Sequence, residues 1–296
     1  MTRPSLTLLR LLLARDPAQL MASFYRFADP IFEAVTQGSG LINVGMARDL
    51  EHADLAESQR ALVRHTVHDL PLEGADGGPP RWLETGCGWG GPASLLAREH
   101  PQLSISALDI SPAHVASTRQ RIAHFGGRVR AHQGDAQHAP FPSGSFDGVY
   151  AIESAFHYPR KREYIHEVHR LLRPGGRLAI ADFVHRPEHT GRLEGLALGP
   201  NMRIGAMPGL FTPQNWVETF EHGGLEDVEL EDITPWVIGL LGRWADRMRQ
   251  EDHALRQHYP RLLLTYYTTG LDRLAARGAN APVGYVVVRG RKAADD

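Results

Sequence analysis

Residues 83–91 read Leu83-Glu84-Thr85-Gly86-Cys87-Gly88-Trp89-Gly90-Gly91. A short apolar run at 81–85 leads into them and a helical pattern at 92–99 follows, so the glycines stand where a strand turns into a helix. Without a Cβ the backbone turns tightly there and lies close to a ligand. Gly86, Gly88 and Gly91 have the G-x-G-x-x-G spacing, and Asp109 follows about 20 residues on, at a strand end where its carboxylate can accept from ribose hydroxyls. On these residues alone a nicotinamide dinucleotide and S-adenosylmethionine both remain open as ligands.

Downstream, strand-like runs alternate with helical segments: strands at 81–85, 104–109, 129–133, 148–152 and 177–183, helices at 92–99, 112–125 and 160–172. Such alternation implies a parallel sheet covered on both faces, with ligands beyond the carboxyl ends of its strands where the strand order reverses. Thr212 and Pro213 announce a helix at 213–222, followed by a strand at 225–233. A helical stretch at 236–274 then separates that strand from a closing apolar run at 284–288. The connection is far longer than a hairpin loop, so it is expected to be an inserted cap. Upstream, helical spacing at 20–35 and 55–70 ends at the Gly- and Pro-rich connector 73–80. The expected organisation is therefore a helical region at 1–80, an α/β core at 81–235 plus 280–296, and a helical insertion at 236–279.

Three further motifs follow in order. Gly134-Asp135-Ala136 comes after the third strand, Phe146-Asp147-Gly148-Val149-Tyr150 leads to Glu153, and Leu172-Arg173-Pro174-Gly175-Gly176-Arg177-Leu178 precedes the fifth strand. With the glycine turn and Asp109, this set closely resembles the class I S-adenosylmethionine-dependent methyltransferases, and the resemblance spans 81–184. It implies a doubly wound, seven-stranded, mostly parallel Rossmann-like sheet, with S-adenosyl-L-methionine as cofactor. It also implies roles by position. Glu84 would hold the methionine amino group, beside Gly86 and Gly88 at the carboxylate. Asp109 would take the ribose hydroxyls, Ile110 would pack on the adenine, and Asp135 with Ala136 would meet the adenine edge. Glu153 would stand at the cofactor edge of the sheet. The sequence departs from the commonest pattern in having Glu-Thr before Gly86, which bears on the reach of Glu84. Asp147 reads as structural and Cys87 as a small filler of the turn.

Methyl transfer from a sulfonium demands alignment, and a base where the acceptor loses a proton. His157, in Glu153-Ser154-Ala155-Phe156-His157-Tyr158 after the fourth strand, is placed for that task. Asp182, ending the fifth strand, is placed to orient it. The pair resembles that of small-molecule O-methyltransferases acting on hydroxyls of bacterial natural products. The scaffold also resembles sterol and tocopherol C-methyltransferases, in which an acidic or aromatic residue steadies a carbocation; Glu153, Tyr158 and Trp89 suit that chemistry. Tyr25, Trp89, Tyr158, Met207, Trp236 and Tyr266 are the expected walls of an apolar acceptor pocket, with Phe24, Phe27, Phe32, Trp244 and Tyr267 near them.

Composition narrows the field. Thirty-two basic against 34 acidic residues leave a formal charge of -2 over 296 residues, so no cationic field for nucleic acid is expected. The single cysteine excludes an intramolecular disulfide and suits a reducing cytoplasm. No stretch reaches the roughly 18 apolar residues of a membrane span, and the apolar segment 6–14 reads as an amphipathic helix. Sixteen histidines raise the question of a metal. The pairs His65/His68 and His166/His169 are spaced i, i+3 rather than i, i+4, so no metal site is expected. The expected partner is a small-molecule acceptor, with a homodimer left open. A nicotinamide-dependent oxidoreductase and a non-catalytic binding module are the rivals.

Overall fold

The computed structural model describes residues 17–74, 76–191 and 209–294. Met207 and the segment 6–14 lie outside them. Seven strands form one sheet: β1 (Arg81–Thr85), β2 (Ser104–Asp109), β3 (Val129–Gln133), β4 (Phe146–Ile152), β5 (Leu172–His185), β6 (Leu225–Asp232) and β7 (Val283–Lys292). Their order is β3-β2-β1-β4-β5-β7-β6. The pairs within β3-β2-β1-β4-β5 are parallel, while β7 runs antiparallel to both β5 and β6. The order reverses between β1 and β4, and a ligand crevice is expected at their carboxyl ends.

The inner strands are apolar on both faces because each face is covered. On β7, Tyr285 and Val287 join one core while Val286 and Val288 join the other, the alternation a pleated strand requires. The first core takes in α1 (Pro17–Thr36), α2 (Leu55–Val67), α3 (Gly91–Glu99) and α4 (Pro112–Ile122). The second is closed by α5 (Lys161–Leu171) and α6 (Pro213–His222), with Trp216 and Phe220 fully buried. Thr212 caps α6 in a reciprocal capping box with Asn215.

Between β6 and β7 the chain forms α7 (Thr234–Val237), α8 (Leu240–Gln250), α9 (Asp252–Leu255) and α10 (Arg261–Arg277). Residues 236–274 are therefore four helices rather than one continuous stretch, with Pro260 at the N-cap of α10. Trp244 of α8 donates from Nε1 to the carbonyl of Val44 at 3.3 Å, and its ring stands 6.1 Å from Phe32 of α1. The helices after β6 and the N-terminal helices thus cover one side of the sheet together.

Gly91 opens α3 where the loop after α1 crosses it. A Cβ on Gly91 would lie 2.3 Å from the carbonyl oxygen of Gly40, so the third glycine of the fingerprint is required by a backbone crossing, not by a ligand. Asp147 accepts from Arg81 N–H at 2.8 Å and pairs with Arg173 at 3.0 Å, which ties the start of β1 to the start of β5 and bears out its structural reading.

Candidate active site

The carboxyl ends of β1, β2 and β4 open on a cavity of about 320 Å³. Its lining includes Gly86, Asp109, Ile110, Asp135 and Ala136 on one side and Ser154, His157, Tyr158, Arg160 and Tyr25 on the other. At the end of β1 the chain enters left-handed backbone at Gly86, with φ of +71°. A Cβ there would meet Ser154 Cβ at 2.4 Å and the Tyr158 hydroxyl at 3.0 Å, so only glycine fits between the turn and the segment after β4. Ser154 is fixed by donating from Oγ to the Thr85 carbonyl at 2.8 Å.

Asp109, which ends β2, is buried and oriented by backbone. Its Oδ2 accepts from Gly88 N–H at 2.9 Å and its Oδ1 from Ser111 N–H at 2.8 Å. The carboxylate plane is therefore set before any ligand arrives. Asp135 is half-buried and accepts from the N–H and the side-chain amide of Gln137, at 2.8 and 3.0 Å. Ile110 keeps 48% of its surface exposed and offers an apolar face at the cavity rim.

Beyond β4, Glu153 takes φ of +48°, unusual for a residue with a side chain. Its Oε1 accepts from Val44 N–H at 2.7 Å and from the Tyr285 hydroxyl at 3.1 Å. This clamp turns the next residues back over the sheet end, where a 3-10 turn, Ala155–His157, delivers His157 to the cavity. The imidazole is 6% exposed and packed among Phe156, Phe24 and Tyr25, with ring centroids 3.9, 5.7 and 5.9 Å away. Asp182, fully buried at the neighbouring strand, accepts Phe156 N–H on Oδ2 at 2.7 Å. Its Oδ1 has no hydrogen-bond partner among the described residues. The carboxyl thus anchors the backbone of the turn that carries His157, and burial together with Glu153 holds it well above the usual carboxylate range.

Several expected site residues stand elsewhere, each for a packing reason. Glu84 lies beneath the glycine turn, bonded to the Tyr150 hydroxyl at 3.2 Å and to the backbone at Ala93, and burial pushes its carboxyl up to about 8. Neither it nor Glu153 is among the residues that line the cavity. Trp89 turns its ring edge-on to Phe32, 6.4 Å away. Trp236 packs under the Arg48 guanidinium, 4.8 Å from the ring centre. Tyr266 faces outward on α10 with 54% of its surface exposed. Trp89, Trp236 and Tyr266 do not line this cavity, and Tyr158 does so from beside Gly86, at the cofactor end. Sequence alone assigns no role to Ser154, Gln137 and Arg160, all at the cavity, or to His114 behind Asp109. Ser154 lies within the quoted His157 segment and Arg160 just beyond it, and only the close approach of Gly86 assigns the former a place.

The chemistry of the lining fits the expected cofactor. Leu108, Ile110 and Ala136 offer apolar contact for a flat base, Asp109 and Asp135 offer acceptors for hydroxyl and amino groups, and Gly86 with Ser154 and Tyr158 closes the other end. Cys87 is buried against Thr118, and burial pushes its thiol well above its ordinary pKa, which disfavours the reactive thiolate. No cluster of three or more metal-ligating side chains occurs among the described residues.

The family model described as a methyltransferase domain matches residues 83–176, the stretch that builds this cavity wall. The chain is 30% identical over 246 residues to 27-O-demethylrifamycin SV methyltransferase of Amycolatopsis mediterranei, covering 82% of this chain and 87% of that protein. This chain is a class I S-adenosylmethionine-dependent methyltransferase. The erythromycin 3''-O-methyltransferase of Saccharopolyspora erythraea is 25% identical over 94% of this chain and 91% of its own length. A putative sarcosine dimethylglycine methyltransferase from Galdieria sulphuraria superposes with a TM-score of 0.79 at 17% identity, covering 92% of this chain and 98% of that one, which speaks for the fold. The methyltransferase uses S-adenosylmethionine as methyl donor, and no helix among its described residues is long and apolar enough to cross a membrane.

The clamp at Glu153 makes the methyltransferase pH-sensitive in a defined direction. Burial pushes its carboxyl up to about 8. From the ordinary carboxylate range up to about 8 the folded chain keeps a proton that the unfolded chain has lost, so stability falls as pH rises through that window. In melts at about pH 5.5 and pH 7.5, Glu153→Gln should lose less stability than the parent, by up to about 1.4 kcal/mol per pH unit. Identical pH dependence in the two proteins would mean that Glu153 is already ionised in the folded state.

Proposed function

We propose that this methyltransferase moves the methyl group onto a hydroxyl of a lipophilic small molecule, with His157 as general base. The observation that carries the reading is the placement of His157 on the 3-10 turn after β4, in the same cavity as Asp109, Asp135 and Gly86. When bound, the cofactor supplies an electrophilic methyl on a sulfonium. The chain's part is to align the acceptor and to receive the hydroxyl proton on the imidazole. The backbone bond from Phe156 to Asp182 keeps that ring at the cavity wall.

Asp109 is assigned to the ribose hydroxyls and Asp135 with Ala136 to the adenine edge. Gly86, Ser154 and Tyr158 are assigned to the methionine end. Glu84 and Gly88 act beneath them as supports of the turn, Gly88 through its N–H to Asp109 and Glu84 through the backbone at Ala93. The acceptor is assigned to the His157 and Tyr25 side of the cavity, backed by an aromatic column that runs from His157 through Phe24 to Phe32 and on to Trp89 and Trp244, each step a ring contact of 5.7 to 6.4 Å. Such a wall excludes water and favours an apolar molecule. The similar O-methyltransferases of antibiotic biosynthesis support the same class of acceptor. A cytoplasmic setting belongs to this reading, and the buried Cys87 is consistent with it.

A carbocation route to C-methylation is less favoured, because, of the three residues suited to it, Glu153 directs Oε1 to Val44 and Tyr285, and only Tyr158 lines the cavity, neither Glu153 nor Trp89 doing so. The experiment offers a panel of hydroxylated polyketides and terpenoids, each also as its acetyl ester, with methyl-labelled cofactor. Label should enter only where the hydroxyl is free; equal labelling of the esters refutes O-transfer.

A further inference from the structure

Three buried polar atoms where α1 meets α4 have no hydrogen-bond partner among the described residues: both ring nitrogens of His114 and Oδ1 of Asp29. His114 sits in the first turn of α4, where its N–H is held by Ser111 Oγ at 3.4 Å, and its ring is buried at 2% exposure. Nδ1 lies 3.4 Å from Asp109 Oδ1. The Tyr25 ring of α1 meets the imidazole edge-on with centroids 4.4 Å apart. Asp29 lies four residues along α1 from Tyr25, and burial raises its carboxyl to about 6. Buried imidazole nitrogens without partners are costly, and such groups call for a reason.

Neither the glycine turn nor the base needs this histidine. Its neighbours supply the reason. On one side is the carboxylate assigned to the ribose, whose plane is already fixed by Gly88 and Ser111. On the other is the helix that brings Tyr25 to the cavity. We propose that His114, set between Asp109 and the Tyr25 ring of α1, is a positioning residue for the ribose diol and couples cofactor binding to the seating of α1. The inference rests on the assignment of Asp109 to the ribose hydroxyls.

The test titrates the full chain calorimetrically with S-adenosylhomocysteine and with its 2′,3′-dideoxy analogue, reading the ratio of the two affinities. The parent should prefer the diol by about 30-fold or more, since hydrogen bonds to a charged acceptor are the strong kind. In His114→Leu the ratio should fall about tenfold with the dideoxy affinity nearly unchanged. On an Asp109→Asn background His114→Leu should change the ratio no further, as expected of residues acting through one another. Amide exchange across 23–36 should slow when S-adenosylhomocysteine binds the parent and slow much less in His114→Leu. A parental ratio in His114→Leu, an equal loss for both ligands, or undiminished slowing of α1 would overturn this role for His114. An Asp109→Asn protein that keeps the parental ratio would instead remove the ribose assignment itself, a separate failure.

Discussion

His157→Ala is expected to lower turnover by about 10²- to 10⁴-fold, the usual contribution of a positioned general base, while S-adenosylhomocysteine affinity stays within about threefold of the parent. The two effects separate because cofactor and base depend on different supports. Asp109, Asp135 and Gly86 belong to β1, β2 and the turn after β3, whereas His157 hangs from the turn after β4. Removing the imidazole leaves the Phe156 N–H bonded to Asp182 Oδ2, so the turn itself should hold. Asp182→Asn should act more weakly and through position, since it weakens that anchor without removing the base. Single-turnover kinetics with saturating cofactor is the measurement. An alanine variant with parental turnover would take proton transfer away from His157.

Gly86→Ala should reduce cofactor affinity by about 100-fold or more. Two costs combine. The left-handed backbone at φ of +71° disfavours any residue with a Cβ, by about 1–2 kcal/mol. The added methyl would also stand 2.4 Å from Ser154 Cβ, in a segment pinned by the Ser154–Thr85 bond and clamped through Glu153. Relief therefore requires the turn and the His157 segment to move apart, which opens the wall between them. Gly175 supplies the control, with φ of +76° and nothing within 4 Å of the place a Cβ would take. Gly175→Ala should cost about 1 kcal/mol of stability and leave binding intact. Calorimetry on both variants checks this, and equal affinities would show that the crowding at Gly86 is irrelevant to the ligand.

The parts of this molecule that could be read from sequence are those governed by local chemistry. The turn at Gly86, the strand-end carboxylates Asp109 and Asp135, and the 225 start of β6 follow from residue types and spacing. The ends of β5 do not, because pairing with β7 carries it on to His185 and pairing of Leu172 with Phe146 of β4 starts it five residues before its apolar stretch at 177–183. Pocket walls were harder still. Trp236 and Tyr266 have the residue type of a lipophilic wall and sit on helices, yet helical spacing does not say which neighbour a face meets. Arg48 claimed one and solvent the other. His114 was invisible for the same reason, since its meaning lies in contacts with α1 and β2 that no local pattern encodes.

The most direct test of O-transfer with His157 as base is the destination of a methyl-labelled donor's carbon on a lipophilic alcohol, read by nuclear magnetic resonance in the parent and in His157→Ala. A methyl ether should be formed by the parent and nearly lost in the variant. A carbon–carbon bond to the labelled methyl, or an ether formed equally well without His157, would contradict it.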